Sequence, residues 1–584
     1  MSPMTLSREQ RYDRQLRLWG DRGQEKLGNA NVCVLGANAV GSELLKNLVL
    51  PGIGGFTIVD DAIVTKKDLG SNFFVTSSSI GKPRAQVVTE WLSEMNTEVR
   101  GKFLVENLDD LIENDPAFFL GFDAIVYTNI LESQLLRISR IVSQAHIPII
   151  ICVSVGFIGL LRVSVQEHAI IESHPDSTKP DFRLDNPPEA FVRLVNDPEN
   201  DLDSLPASQL SQVPWLIIIY KFLSHFQRKN GRFPSSYSDK QEIRRLINAA
   251  ADSLLEKCRS RGEAIEPNFE LLNFQEASRA VNTAISTTKI PPEVLQIFED
   301  CRCQCYGSSD DQVTLDRSSK STRSAGNLTM SSFWKMAGAL KEYTMNEGGG
   351  NLPLRGDLPD MTSSSSRYLK LLATYREAAE TAVEHLASRL SHVGLKALSF
   401  MDELRLEDVR LLARNAAYLR VIKCRSLEEE LKLSPARSDD LHLIPAQEEN
   451  DAMLWYFMLR GAASFYSEHG RWPGSPCGTS NPTAATAEGG DHQFSPHIVE
   501  LDMPCLRGHV NRVLTASGVA VNRVSDDFVH EMCRFGGGEV HSVAAFMGGI
   551  AAQEVIKLVT HQFVPICQPL IYNAITQRVT LLEF

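Results

Sequence analysis

The stretch Val32-Cys33-Val34-Leu35-Gly36-Ala37-Asn38-Ala39-Val40-Gly41-Ser42-Glu43-Leu44-Leu45-Lys46, closing on Phe56-Thr57-Ile58-Val59-Asp60, decides the fold. A short apolar run, a glycine turn, a helical pattern and a second apolar run spell a β-α-β unit. A glycine loop that opens a helix offers backbone N–H groups to a phosphate, assisted by the helix dipole. In the G-x-G-x-x-G pattern the middle glycine lets the backbone approach the phosphate, and here that place is taken by Asn38. Asp60 stands where an acid for a ribose hydroxyl is expected. The sequence therefore presents a nucleotide cradle, Gly36, Asn38, Gly41 and Asp60, with one part altered. A tight strand-to-helix turn that holds nothing has the same signature.

Working outward, strands are expected at Phe103–Val105, Ala124–Tyr127, Ile147–Val153 and Leu160–Val165, with a helix over Glu132–Ala145. Strands alternating with helices imply a mainly parallel sheet covered on both faces. Upstream, Arg11, Arg14 and Arg17 recur at helical spacing and share a face. From about residue 175 helical patterns dominate, among them Ser366–Val393. The α/β character returns with Phe535-Gly536-Gly537-Gly538 and a helix whose small residues allow close packing against a sheet or a second subunit, followed by strands at Leu570–Asn573 and Val579–Leu582. The expected fold class is α/β: residues 1–170 and 526–584 form one Rossmann-like domain, interrupted by a mainly helical insertion over 171–525. Residues 307–332 and 474–495, rich in Ser, Thr, Gly and Asp, read as exposed loops or disorder.

The 584 residues suffice for three or four domain-sized units, and 43% hydrophobic with 22% charged residues is ordinary globular composition. A net charge of −13 argues against a nucleic-acid surface. No run of eighteen apolar residues occurs, so no membrane span is expected. Met1-Ser2-Pro3-Met4-Thr5 has no apolar signal core, and the eleven cysteines are scattered, which fits reduced thiols in the cytoplasm or nucleus. Cys301, Cys303 and Cys305 lack the C-x-x-C pairs of a structural zinc site and read as ordinary thiols. His168, Glu172 and His174 read as a polar loop, and no metal site is expected.

Several motifs add a resemblance. Arg11-Tyr12-Asp13-Arg14-Gln15, the Val32–Asp60 unit, Ile80-Gly81-Lys82-Pro83-Arg84-Ala85 and Ala552-Gln553-Glu554-Val555-Ile556-Lys557 resemble the ubiquitin-activating enzyme superfamily, with its ThiF/MoeB-type adenylation domain. Glu172-Ser173-His174-Pro175-Asp176, Gly350–Gly356, Cys424-Arg425-Ser426-Leu427 and His530-Glu531-Met532-Cys533-Arg534 extend the likeness nearly end to end. The chain is similar to the family of regulatory subunits, of the amyloid-precursor-protein-binding-protein type, of the heterodimeric enzyme that activates the neddylation (Rub) modifier.

That resemblance implies a non-catalytic chain. The family's adenylation pattern, laid on this sequence, keeps Asp60 but puts Ala62 at a second acid, Gly70 at an asparagine, Ser71 at an arginine and Arg84 at a lysine. Attack of a carboxylate on the α-phosphate builds charge that cations and Mg²⁺ must stabilise, and here a metal ligand and a cation are missing. No functional nucleotide or metal binding is expected at Gly36, Asn38, Gly41 and Asp60. No cysteine matches a thioester-forming one. The resemblance implies an obligate heterodimer in which the catalytic subunit holds ATP and Mg²⁺, adenylates the C-terminal glycine of the ubiquitin-like modifier, forms the thioester and passes it to a conjugating enzyme. It also implies that Arg14 reaches in trans to the partner's ATP. Two alternatives stand beside this reading: the equivalent subunit of the SUMO-activating enzyme, whose insertion is much shorter, and a nicotinamide-dependent oxidoreductase with Asp60 on the ribose.

Overall fold

The computed structural model describes residues 7–175, 179–266, 269–304, 330–392, 405–431, 451–476, 496–521 and 524–583. The stretches 307–329 and 477–495, read from the sequence as loops, lie outside them, as does Cys305, whereas 330–332 open the helix Met330–Met345.

The described chain divides into two compact units, one comprising residues up to Ile170 and from Val421 onward, the other the residues between Ile171 and Arg420. The first is built on an eight-stranded sheet. Its strands are β1 (Asn31–Leu35), β2 (Gly55–Val59), β3 (Arg100–Leu104), β4 (Ala124–Tyr127), β5 (Ile149–Val155), β6 (Ile158–Ser164), β7 (Leu570–Asn573) and β8 (Arg578–Leu581). Their spatial order is β8-β7-β6-β5-β4-β1-β2-β3. Strands β3, β2, β1, β4 and β5 run parallel, with Val34 opposite Ile58 on one side and Val126 on the other. The strands β6, β7 and β8 join antiparallel.

Side chains alternate across a strand, so each strand feeds two cores. Val32, Val34, Phe56, Ile58, Val126 and Ile150 enter one, shared with the helices α1 (Asp13–Asn29) and α2 (Ala39–Val49). Cys33, Leu35, Ile125, Tyr127, Ile151 and Val153 enter the other, with Trp455, Tyr456, Phe457 and Phe465 of helix α3 (Asp451–His469) and Leu506, Val510 and Leu514 of helix α4 (Pro496–Ala516). This corrects the expected boundary at residue 525. Helices α3 and α4 read as part of a helical insertion, but their apolar faces are spent on the sheet.

Helix α5 (His541–Thr560) packs against α2, β5 and β6. A Cβ at Gly548 would lie 2.8 Å from the backbone nitrogen of Leu44, so the small residues serve contact within the chain. By length and composition α5 is apolar enough to cross a membrane, and 67% of that window is buried inside the fold. Helix α1 is broken at Gly20, whose φ is 68°. The second unit is helical, with a core of Phe191, Leu216, Ile217, Phe226, Ile243, Phe274 and Tyr375. The Tyr375 hydroxyl donates to the Phe182 carbonyl at 2.7 Å, and Ser365–His392 is its longest described helix.

Candidate functional site

The chain leaves β1 at Leu35, turns at Gly36 and enters α2 at Ala39. Gly36 has φ 113°, and a Cβ there would meet Thr128 Oγ1 at 2.4 Å. At Gly41 a Cβ would meet the Gly36 carbonyl oxygen at 2.4 Å. Both glycines are thus required by the tightness of the turn, whether or not a ligand binds.

The first turn of a helix leaves N–H groups without helical partners, and these make an anion site. In α2 the chain's own oxygens take them. Ala39 N–H donates to Glu539 Oε2 at 2.8 Å and Val40 N–H to Glu539 Oε1 at 3.1 Å. Gly41 N–H donates to Asn38 Oδ1 at 3.1 Å, and Ser42 N–H to the Asn38 carbonyl at 3.0 Å. Asn38 is therefore an N-cap, a role asparagine favours, and its Nδ2 donates to the Thr128 carbonyl at 3.1 Å. Burial pushes the Glu539 carboxyl up, while the N–H groups of Ala39 and Val40 and the Arg84 charge pull the other way.

Asp60 is equally engaged. It accepts from the N–H groups of Ala37 at 2.7 Å and Ala62 at 2.9 Å, and from Arg84 Nε at 2.8 Å. Arg84 Nη1 also donates to Asp68 at 3.1 Å. Asn72 Nδ2 donates to the Ala37 carbonyl at 3.0 Å and Ser42 Oγ at 3.2 Å, closing the loop from above. Beside it, buried Glu43 pairs with Lys46 and with His541 Nε2 at 3.1 Å.

Gly36, Asn38, Gly41 and Asp60 are thus brought together, with Arg84 among them. Gly70 and Ser71 sit at the end of the short turn Asp68–Gly70. Arg14 is exposed on α1, and among the described residues it has no hydrogen bond or ion pair, whereas Arg11 pairs with Glu98 at 3.1 Å and Arg17 with Asp13 at 3.2 Å. The sequence reading missed Glu539, Thr128 and Asn72. The only local signal for Glu539 is its place between a glycine run and a helix.

Of the other groups read from the sequence, Glu172 and His174 face each other, Oε2 to Nε2, at 3.7 Å. Cys303 is buried and its thiol pushed up to about 12 by burial, while Cys301 is exposed. His168 is buried and stacked on His561 with ring centroids 4.5 Å apart, and burial, with Lys26 nearby, pushes it down to about 3.

The ThiF family matches residues 12–583. The NEDD8-activating enzyme E1 regulatory subunit of Danio rerio is 39% identical over 583 residues, covering 99% of each chain. That of Xenopus laevis is 40% identical over 585 residues, again 99% of each. The NEDD8-activating enzyme E1 regulatory subunit AXR1 of Arabidopsis thaliana is 34% identical over 586 residues, covering 100% of this chain and 97% of its own. These end-to-end matches favour neither the SUMO-type subunit nor the oxidoreductase. The chain belongs to the ThiF family and, within it, to the family of NEDD8-activating enzyme E1 regulatory subunits.

Proposed function

We propose that this chain is the non-catalytic half of a heterodimeric activating enzyme for the ubiquitin-like neddylation modifier. Its catalytic partner binds ATP·Mg²⁺, adenylates the modifier's C-terminal glycine, forms the thioester and delivers the modifier to a conjugating enzyme. The observation that carries the reading is that every N–H at the start of α2 is already taken, two of them by Glu539. A phosphate entering there would have to displace a carboxylate of its own charge sign. Ala62 offers no metal ligand, and Arg84 is turned onto Asp60 and Asp68.

Arg14, exposed and unpaired among the described residues, is available to the partner's ATP, and a guanidinium gives phosphate two parallel hydrogen bonds. Phe73 and Ile575, 67% and 56% exposed, are apolar surface suited to the partner. Burial raises the thiols of Cys33, Cys152 and Cys533, against a thiolate role. Cys424 differs: a hydrogen bond with the Cys567 thiol lowers it, against burial and with help from Arg162. Every described cysteine is free, in keeping with a reducing cytoplasmic or nuclear setting.

The test is ATP–pyrophosphate exchange by the chain alone and by the assembled heterodimer. Exchange only in the heterodimer is expected. Exchange by the isolated chain that depends on Mg²⁺ and the modifier overturns the proposal.

A further inference from the structure

The first unit carries a second cluster of ligand-type groups, apart from the cradle. His469 ends α3, while Cys505 and His509 stand one turn apart on α4, so both α4 side chains face the end of α3. One ligand atom from each of the three lies within 4.8 Å of the others, and His469 Nε2 is 3.3 Å from Cys505 Sγ. Zinc bonds of about 2.0–2.3 Å place tetrahedral donors roughly 3.3–3.8 Å apart, so this pair already has the required separation.

The surroundings suit a cation. His509 is buried, and its Nδ1 lies 2.9 Å from Ser464 Oγ. Arg512 now donates to that Nδ1; with the guanidinium withdrawn, an Nδ1 proton donated to the Ser464 hydroxyl would leave the Nε2 lone pair for a metal. Glu468 Oε2 is 3.5 Å from His509 Nε2 on an exposed side chain, and it can turn in as a fourth ligand once it leaves its Arg512 partner. A positive group already occupies the seat: Arg512 Nη2 lies 2.8 Å from His509 Nδ1, 3.1 Å from Nε2 and 3.3 Å from Glu468. The Arg512 side chain is 63% exposed and can swing into solvent when a doubly charged ion arrives. Asp502, the other nearby carboxylate, is held by Arg471 at 2.5 Å and the Gly474 N–H at 2.7 Å and is not free to join. Phe465 walls the site, its ring 4.3 Å from His469 and 5.6 Å from His509.

We propose that His469, Cys505 and His509, with Glu468 as fourth ligand, bind a zinc ion that clips the end of α3 to α4. One thiolate and one carboxylate neutralise the dication, and two imidazoles complete a tetrahedral set of the structural kind. Binding releases the Cys505 proton to solvent.

The test uses the full chain in its heterodimer, stripped with a chelator and titrated with Co²⁺. The expected result is a thiolate-to-cobalt charge-transfer absorption that Zn²⁺ competes away, lost in Cys505→Ser and retained in Cys301→Ser. Ser464→Ala, which removes only the hydroxyl behind His509, is expected to weaken Co²⁺ binding about 10-fold. His469→Ala, at an exposed position, reports on the site where Cys505→Ser fails to fold, and is expected to abolish the increase in melting temperature that Zn²⁺ gives the parent. Absence of the absorption in the parent, its persistence in Cys505→Ser, or a zinc-dependent melting temperature unchanged in His469→Ala would overturn the proposal.

Discussion

The start of α2 and the junction of α3 with α4 are opposites. The first has the sequence of a ligand site, but its N–H groups and Asp60 are bonded to the chain's own Glu539, Asn38 and Arg84. The second has no recognisable motif but brings two imidazoles and a thiol together, with an exposed guanidinium against one of the imidazoles. The glycine pattern records how the backbone must turn, a requirement that holds with or without a ligand. Donor geometry, in contrast, arises wherever packed helices bring the right side chains together. Substitutions at the two places separate a closed site from an open one.

The largest effect is expected outside both. If the cradle is closed, the chain's contribution to ATP chemistry passes through Arg14. Truncating a charge-assisted hydrogen bond costs about 1.5–3 kcal/mol, so Arg14→Ala in the heterodimer should lower pyrophosphate exchange roughly 10–150-fold. Arg11→Ala and Arg17→Ala remove residues already paired within the chain and should change it little. Equal losses for all three would point to helix stability instead, and unchanged exchange at limiting ATP would remove the trans role.

Next comes the plug itself. Glu539→Ala leaves the N–H groups of Ala39 and Val40 without acceptors, a cost of about 1–3 kcal/mol in stability, measured by urea unfolding. Glu539→Gln keeps one acceptor oxygen and should recover part of it. If Glu539→Ala is as stable as the parent, the carboxylate contributes nothing and the cradle is not held closed by it.

A smaller effect separates two buried histidines. His168 has its pKa lowered to about 3, so the unfolded chain takes up a proton below pH 6.5 that the folded chain refuses. Its contribution is complete above about pH 6.5 and declines as the pH falls toward 3, by at most about 1.4 kcal/mol per pH unit. His168→Phe should flatten the acid limb of stability between pH 6.5 and 5, with or without zinc. Stabilisation by zinc should itself fade as the pH falls, because protons compete with the metal for Cys505 and for the imidazoles. A zinc effect as large at pH 5 as at pH 7 would contradict the proposed ligands. The smallest expected change is none: Cys424→Ser should leave the thioester level of the heterodimer intact, and its loss with assembly preserved would make Cys424 the carrier.

The legible parts of this molecule are local ones. The unit from Val32 to Asp60 is specified by residues within thirty positions of each other, and its strands and helix fall where the apolar pattern puts them. Helices α3 and α4 fall inside the stretch read as mainly helical. Which surface their apolar faces cover is a property of the tertiary fold, and so the boundary near residue 525 was misplaced. Glu539 reaches Ala39 across 500 positions, a distance at which no spacing rule operates. His469 and Cys505 are 36 positions apart in separate helices, so ligand spacing of the C-x-x-C kind had nothing to register.

The central claim is that this chain's cradle is occupied by its own side chains and only the partner's is open to nucleotide. Equilibrium dialysis of ATP·Mg²⁺ against the intact heterodimer, at saturating nucleotide, tests it most directly. The account predicts one ATP per heterodimer, unchanged by Glu539→Gln. Two ATP per heterodimer in the parent protein would contradict it.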